Sequence, residues 1–301
     1  MGLKPKEPLP LVPYYALMVF DGDRMGDWFA GRFKPAHMPL PRFHDLLSNN
    51  LGEYAVWVRK YLHPPKGKVV YAGGDDLLAF LALDRVFETA QELRTEFAKQ
   101  VNLEEVTAER LTFSAGLVIA HYKDPLSHVL EIARRVEKEA KESGRNALGV
   151  AVLKRSGEAV EAVLAWEDGQ GGGLGGAIAK VDAHWRQKRF STRWVRAFAG
   201  WMASILGAAE TGGSMEDHAL QEMAWIELAR VARRAAQTNN RDTREAWVQA
   251  LVEDLRVLHR FCRGKKKASS GDATRGGDWR TFIDLLNILV FLKEKWDDGH
   301  D

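Results

Sequence analysis

KVVYAGGDDLLAFLAL, residues 68–83, contains two β-rich runs, KVVYA and LLAFLAL, separated only by Gly73, Gly74, Asp75 and Asp76. That gap is of hairpin length, and glycine supplies the positive φ angles a tight turn needs. Upstream, YALMVF (residues 15–20) is a nearly all-apolar run of the kind expected for a strand buried on both faces, and it ends abruptly in DGD. Between the two, Phe43, Leu46, Leu47, Leu51, Tyr54, Ala55, Val58, Tyr61 and Leu62 recur with helical period until Pro64 and Pro65 stop them.

Downstream the spacing predicts a helix capped by Asp84, with Val86, Ala90, Leu93 and Phe97 on one stripe. LTFSAGLVIAHY (111–122) alternates as a strand. Asp124 and Pro125 then read as cap and first turn of a helix that buries Val129, Ala133, Val136 and Ala140 and closes at Gly144, before ALGVAVL makes a last strand. The order β, α, β, β, α, β, α, β predicts an α+β sheet with helices on one face, the layout of a ferredoxin-like, polymerase-type palm.

After a turn at Ser156 and Gly157 and the run VEAVLAW, residues 169–176 contain six glycines and read as a flexible linker. Strand patterns then cease. Helical patterns cover 191–206, 215–236, 242–261 and 278–296, which predicts an α-helical bundle, with residues 263–278 as a mobile loop. The expected organisation is an extended lead-in over 1–14, a palm over 15–166, a glycine-rich linker over 167–177 and a helical domain over 178–301. At ~150 residues per domain, a length of 301 fits two such units.

Charge nearly cancels, with 43 Lys and Arg against 41 Asp and Glu, so any binding to phosphates must be local. A single cysteine, Cys262, excludes an internal disulfide and a Cys-rich zinc site, and the expected compartment is the cytoplasm. The apolar run 285–292 is interrupted by Asn287 and is far short of the ~20 residues of a membrane span, so no membrane partner is expected. The Pro-rich N-terminus lacks the charged and apolar regions of a signal peptide.

Two adjacent carboxylates at a hairpin tip repel each other, and a divalent cation is their natural compensation; an isolated GGDD is equally well a turn built from turn-favouring residues. Asp21 shifts that balance, because it ends a buried strand and so can reach a neighbouring tip. With Asp75 and Asp76 it makes the three-carboxylate cradle of two-metal phosphoryl chemistry, in which ions ~3.5–4 Å apart hold attacking and leaving oxygens. Asp23 reads better as the N-cap of a following helix than as a ligand. Lys141 and Arg145, around Gly144, either complement the helix dipole or direct two cations towards a triphosphate.

Other signals carry less. His44 and Asp45 spell HD inside an amphipathic helix without further ligands, and Gly171, Gly173 and Gly176 fit GxGxxG without the βαβ unit that gives it meaning. Lys265–Lys267, beside Arg260, Arg263, Arg275 and Arg280, form a local basic stretch that reads first as solvated and second as a nucleic-acid contact. The ten tryptophans fall mostly on helix stripes, as core or interface anchors.

DGDRMG, YAGGDD, FSAGLVIAHYKDPL and AKESGRNALGVAVLKRSG, in this order and at these separations, resemble the second palm domain of the large subunit of type III-B CRISPR effector complexes. More distantly they resemble the GGDEF nucleotide-cyclase family, whose last two signature positions are here Asp76 and Leu77. The resemblance covers about residues 14–157 and implies a cyclic oligoadenylate synthase that polymerises ATP once its complex has captured a target RNA. It implies that Asp21, Asp75 and Asp76 hold two Mg²⁺ or Mn²⁺ ions, with the Gly22 carbonyl close by. It also implies that Gly73 and Gly74 let backbone approach the nucleotide, that Ser114 lines its pocket, and that Lys141, Arg145 and Asn146 face phosphates. The implied partners are ATP, the other protein subunits of the complex, and guide and target RNA through that complex. The HD nuclease domain, first palm and cysteine-bearing zinc site of such subunits have no counterpart in this sequence, so nuclease activity is not expected. A stand-alone dinucleotide cyclase and a non-catalytic assembly module remain as alternatives.

Overall fold

YALMVF lies in the middle of a six-stranded sheet, and its alternation divides two apolar layers. Ala16, Met18 and Phe20 of strand β1 (Tyr14–Gly22) enter the larger core, whereas Leu17 and Val19 enter a second layer on the other face. The computed structural model describes residues 12–103, 106–210, 218–264 and 277–298. The lead-in up to residue 11, Lys265–Lys267 and Arg275 lie outside these described residues.

After a short helix α1 (Met25–Phe29), the long helix α2 (Leu40–Tyr61) leads into the hairpin β2 (Gly67–Ala72) and β3 (Asp76–Leu81). Helix α3 (Val86–Val101) and strand β4 (Phe113–His121) follow. Helix α4 (Leu126–Glu142) then precedes β5 (Ala147–Leu153) and β6 (Ala159–Ala165). The sheet order is β2-β3-β1-β4-β5-β6, antiparallel at every junction except the parallel pair β4 and β5. The first four strands with α2 and α3 make the ferredoxin-like β-α-β-β-α-β unit.

Helices α2 and α3 cover one face through Phe43, Leu47, Tyr54, Leu93 and Phe97; the Tyr54 hydroxyl crosses between them to donate to the Leu93 carbonyl at 3.0 Å. Helix α4 covers the opposite face with Val129, Ala133 and Val136, so the expectation of helices on one face is corrected: both faces are roofed. This is why β4, read as alternating, is buried at all nine positions. β5 is not the last strand either, because VEAVLA continues the hairpin as β6.

Two cap assignments change. Asp84 lies in a single 3-10 turn before α3 and caps nothing; Asp124 accepts from the His121 amide; and Pro125, not Asp124, occupies the N-cap position of α4. The glycine-rich stretch is partly helical, since α5 (Leu174–Arg186) starts directly after Gly173. The preceding turn is organised by Asp168, which accepts from the Gln170 and Gly172 amides.

Helices α6 (Arg193–Glu210), α7 (His218–Ala235), α8 (Arg241–His259) and α9 (Trp279–Asp298) complete the helical half. It does not hang apart from the sheet. α9 packs on β6, and Cys262, just beyond α8, pairs with Leu164 as an extra antiparallel bridge at the β6 edge. One apolar cluster runs from Ala16 to Phe291 through both halves.

Helix α4 sits unusually close to the sheet. A Cβ at Gly116 would fall 1.9 Å from the Ala133 carbonyl oxygen, and one at Gly149 would fall 2.2 Å from that of Val136. Gly149→Ala must therefore lift α4 and cost about 1–3 kcal/mol by overpacking. Gly176→Ala, where a Cβ meets nothing within 4 Å inside α5, is expected to be neutral or to stabilise by up to ~1 kcal/mol. Urea midpoints of the two variants check this contrast.

Candidate active site

Antiparallel pairing gathers distant residues at one end of the sheet. Asp21, the penultimate residue of β1, stands opposite Asp76, which opens β3, and on its other side opposite Ser114 of β4. The Gly22 amide donates to the Asp75 carbonyl at 2.8 Å, which draws the hairpin turn alongside the end of β1. Asp21, Asp75 and Asp76 thus converge. Partial burial, then the negative charges of Asp75 and Asp21, push the Asp76 carboxyl above the usual carboxylate range, against the stabilising hydrogen bond of the Tyr71 hydroxyl.

That hydroxyl explains the first glycine of the motif. A Cβ at Gly73 would lie 2.3 Å from both Tyr71 Oη and Asp76 Oδ1, so only glycine leaves room for the contact. Gly74 takes the turn itself, at φ +122°.

Lys141, in the last turn of α4, donates to the Asp21 carboxylate at 2.5 Å and to Glu137 at 2.7 Å. Burial opposes its charge, but the two carboxylates outweigh burial and raise its pKa. Glu137 is itself pushed up by burial, with Lys141 acting in the opposite direction. Sequence reasoning missed Glu137, although its i, i+4 spacing to Lys141 was the available signal.

Asp23 is corrected. It is neither an N-cap nor an open ligand, because α1 starts after Arg24 in the left-handed region at φ 59° with no side-chain cap, and Asp23 is only 3 % exposed. Its carboxylate accepts from Thr112 Oγ1 at 2.6 Å, Ser114 Oγ at 2.8 Å and the Asn146 amide at 2.9 Å. Ser114 is fully buried with its hydroxyl committed to Asp23, so it does not line an open pocket. Asn146 also faces inward: its side-chain oxygen accepts from Arg94 Nε at 2.9 Å and Nη2 at 2.7 Å. Burial lowers the pKa of Arg94, with Glu167 and Asp23 opposing that effect. Arg94 and Thr112 were not foreseen, although Arg94 is a charge on the buried face of α3 beside Ala90, Leu93 and Phe97, which was the available signal. Arg145, by contrast, is exposed, at φ 60°.

Hard carboxylate oxygens are the donor chemistry that Mg²⁺ or Mn²⁺ takes, and the neighbouring negative charges of Asp75 and Asp21 at Asp76 fit such a cation. The arrangement is not a closed ligand shell. Among the described residues no three His, Cys, Asp or Glu side chains stand together in metal-ligating geometry, and Asp21 is engaged by Lys141. A cavity of about 490 Å³ lies at the other end of the sheet, walled by Val12, Leu83, Phe87, Ile178 and Leu289, away from the carboxylates.

The sheet order, the hairpin turn and the Asp21–Asp76 register meet a known pattern here: residues 14–149 match the family described as Cas10/Cmr2, second palm domain. That stretch, a little under half of the chain, resembles a Cas10/Cmr2 second palm. The chain is 33% identical over 176 residues to the CRISPR system Cmr subunit Cmr2 of Pyrococcus furiosus, a match covering 51% of this chain and 20% of that protein. The Saccharolobus solfataricus subunit of the same name is 30% identical over 119 residues, covering 34% of this chain and 11% of that one. The chain therefore spans about a fifth or less of the length of these relatives. In fold, it superposes on a chain of the type III-B Cmr-beta apo complex with a TM-score of 0.59 at 14% identity, covering 93% of this chain and 38% of that one. A second Cmr-beta structure, bound to cognate target RNA, gives 0.60 at 15% identity, covering 93% and 39%. The palm and the helices after it are thus matched together.

Partial burial, and then the charges of Asp75 and Asp21, give ionised Asp76 a stability penalty. Because the folded fold raises the Asp76 pKa, ionised Asp76 disfavours folding, and protonation on the acid side of its pKa removes that penalty. Asp76→Asn is expected to raise the unfolding free energy at pH 7, and with it the urea midpoint, by no more than about 1 kcal/mol of stability given solvent screening. The gain should shrink as pH falls through the carboxylate range, which midpoints measured from pH 7 to pH 4 will show.

Proposed function

We propose that this palm is the ATP-polymerising centre of a type III CRISPR effector, a cyclic oligoadenylate synthase. The observation that carries the reading is the β1–β3 register, which sets Asp21 against Asp76 with Asp75 in the adjoining turn. Asp21, Asp75 and Asp76 would hold the divalent ions. Two such ions, when bound, supply activation of a ribose hydroxyl for attack on the α-phosphate of a second ATP and charge stabilisation for departing pyrophosphate.

The chain's own residues do the rest. Lys141 holds Asp21 in place before nucleotide arrives and, anchored by Glu137, keeps an ammonium beside the carboxylates for a triphosphate. Arg145, exposed one turn beyond Lys141, offers a bidentate contact to phosphate oxygens. Asn146 acts from below by fixing that turn, rather than by touching phosphate. Tyr71 orients Asp76 through its hydroxyl. The partners are ATP, the other protein subunits of the effector, and guide and target RNA held by that assembly, in the cytoplasm. No helix among the described residues is long and apolar enough to cross a membrane.

The test is incubation of the chain, alone and with its partner subunits and target RNA, with each NTP and Mg²⁺ or Mn²⁺, followed by product analysis. Cyclic oligoadenylate should form from ATP and vanish in Asp75→Ala with Asp76→Ala, while the thermal midpoint stays at or above that of the unmodified protein. Retained product in the double variant contradicts the assignment. A cyclic dinucleotide product would instead make this a dinucleotide cyclase, and partner binding without ATP binding would make it an assembly module.

A further inference from the structure

The turn between α4 and β5 carries Arg145, and it is held from the helical half of the chain. Gly144, Arg145 and Asn146 have φ of 110°, 60° and 47°, three successive positive values of which two belong to residues with side chains. Such a backbone persists only where its surroundings fix it. From within the palm, Asn146 is fixed by the Asp23 carboxylate on its amide and by Arg94 on its side-chain oxygen.

The other constraint comes from 118 residues further along the chain. Arg263 Nη1 donates to the Arg145 carbonyl at 2.5 Å and to the Ser143 carbonyl at 3.3 Å. These carbonyls lie at the C-terminal end of α4, where backbone oxygens lack intrahelical donors and the helix dipole is negative. Arg263 itself is not a wandering surface side chain. Its amide donates to the Val163 carbonyl of β6 at 2.9 Å, and its own carbonyl accepts from Thr281 Oγ1 of α9 at 2.8 Å. The guanidinium thus projects from a backbone pinned between the sheet edge and the last helix.

We infer that Arg263 is a positioning residue for the turn Ser143–Asn146, through which the helical half sets the ATP affinity of the palm. The inference rests on the proposed function for its ligand, but not for its geometry. Arg263 touches no reacting atom; it fixes where Arg145 stands.

The experiment compares the full chain with Arg263→Gln and Arg263→Lys by amide hydrogen exchange and by titration with ATP and Mg²⁺. The Arg145 and Asn146 amides, bonded to the Lys141 carbonyl and to Asp23, report on the turn; the amides of Gly149 to Val152 report on the sheet. Arg263→Gln is expected to speed exchange at the turn but not in β5, and to weaken ATP binding roughly tenfold, as for loss of a charge-assisted contact. Arg263→Lys, which keeps a cation there, should recover part of both. Unchanged exchange at the turn, or a loosened turn with unchanged ATP affinity, overturns the inference. If the unmodified chain binds no ATP, the proposed function fails and the ATP half of this inference fails with it. Turn exchange in Arg263→Gln still decides whether Arg263 holds the turn.

Discussion

A carboxylate shut away from water at the end of the central strand holds the site together. Asp23 cannot be solvated at 3 % exposure, so its charge must be met by donors, and those donors come from the start of β4 and from the turn after α4. Meeting that requirement fixes three chain segments relative to one another. Once they are fixed, Asp21, two residues upstream, points to the same edge as the hairpin turn and within reach of Lys141. Removing a single member of such a network leaves the others buried and unpaired, which is why buried polar clusters tend to specify one arrangement.

Around this hub, charge is distributed unevenly. Inside, carboxylate and guanidinium are matched, Asp23 and Arg94 both ending on Asn146. At the rim, Lys141 pairs with Asp21 and Glu137, and Asp76, half-buried beside Asp75 and Asp21, is pushed up first by burial and then by those two charges. A fold selected only for stability would not place Asp75 and Asp76 beside Asp21. The imbalance is what a cation and a polyphosphate would resolve together.

Much of this was legible in the residues. The apolar run of β1, the GGDD hairpin and the stripe of α4 announced strand, turn and helix, because each element buries one face at its own period. The convergence of Asp21 with the hairpin followed from its place at a strand end. What escaped was whatever depends on packing across the sheet: α4 on the second face, admitted by Gly116 and Gly149, leaves no one-dimensional trace. Asp23 reads as a helix cap and Ser114, by resemblance, as a pocket residue, yet the two are buried partners of each other. Arg263 lies too far along the sequence to be connected with Arg145 by any local pattern.

The central claim, that side chains from β1 and from the hairpin grip the same divalent ions, is tested most directly by titrating the full chain with Mn²⁺ in the presence of ATP and following bound metal by electron paramagnetic resonance. The account predicts a tight Mn²⁺ signal that Asp21→Asn weakens roughly tenfold or more, although Asp21 is more than fifty residues from the hairpin. Mn²⁺ binding that is the same in Asp21→Asn as in the unmodified chain would contradict it.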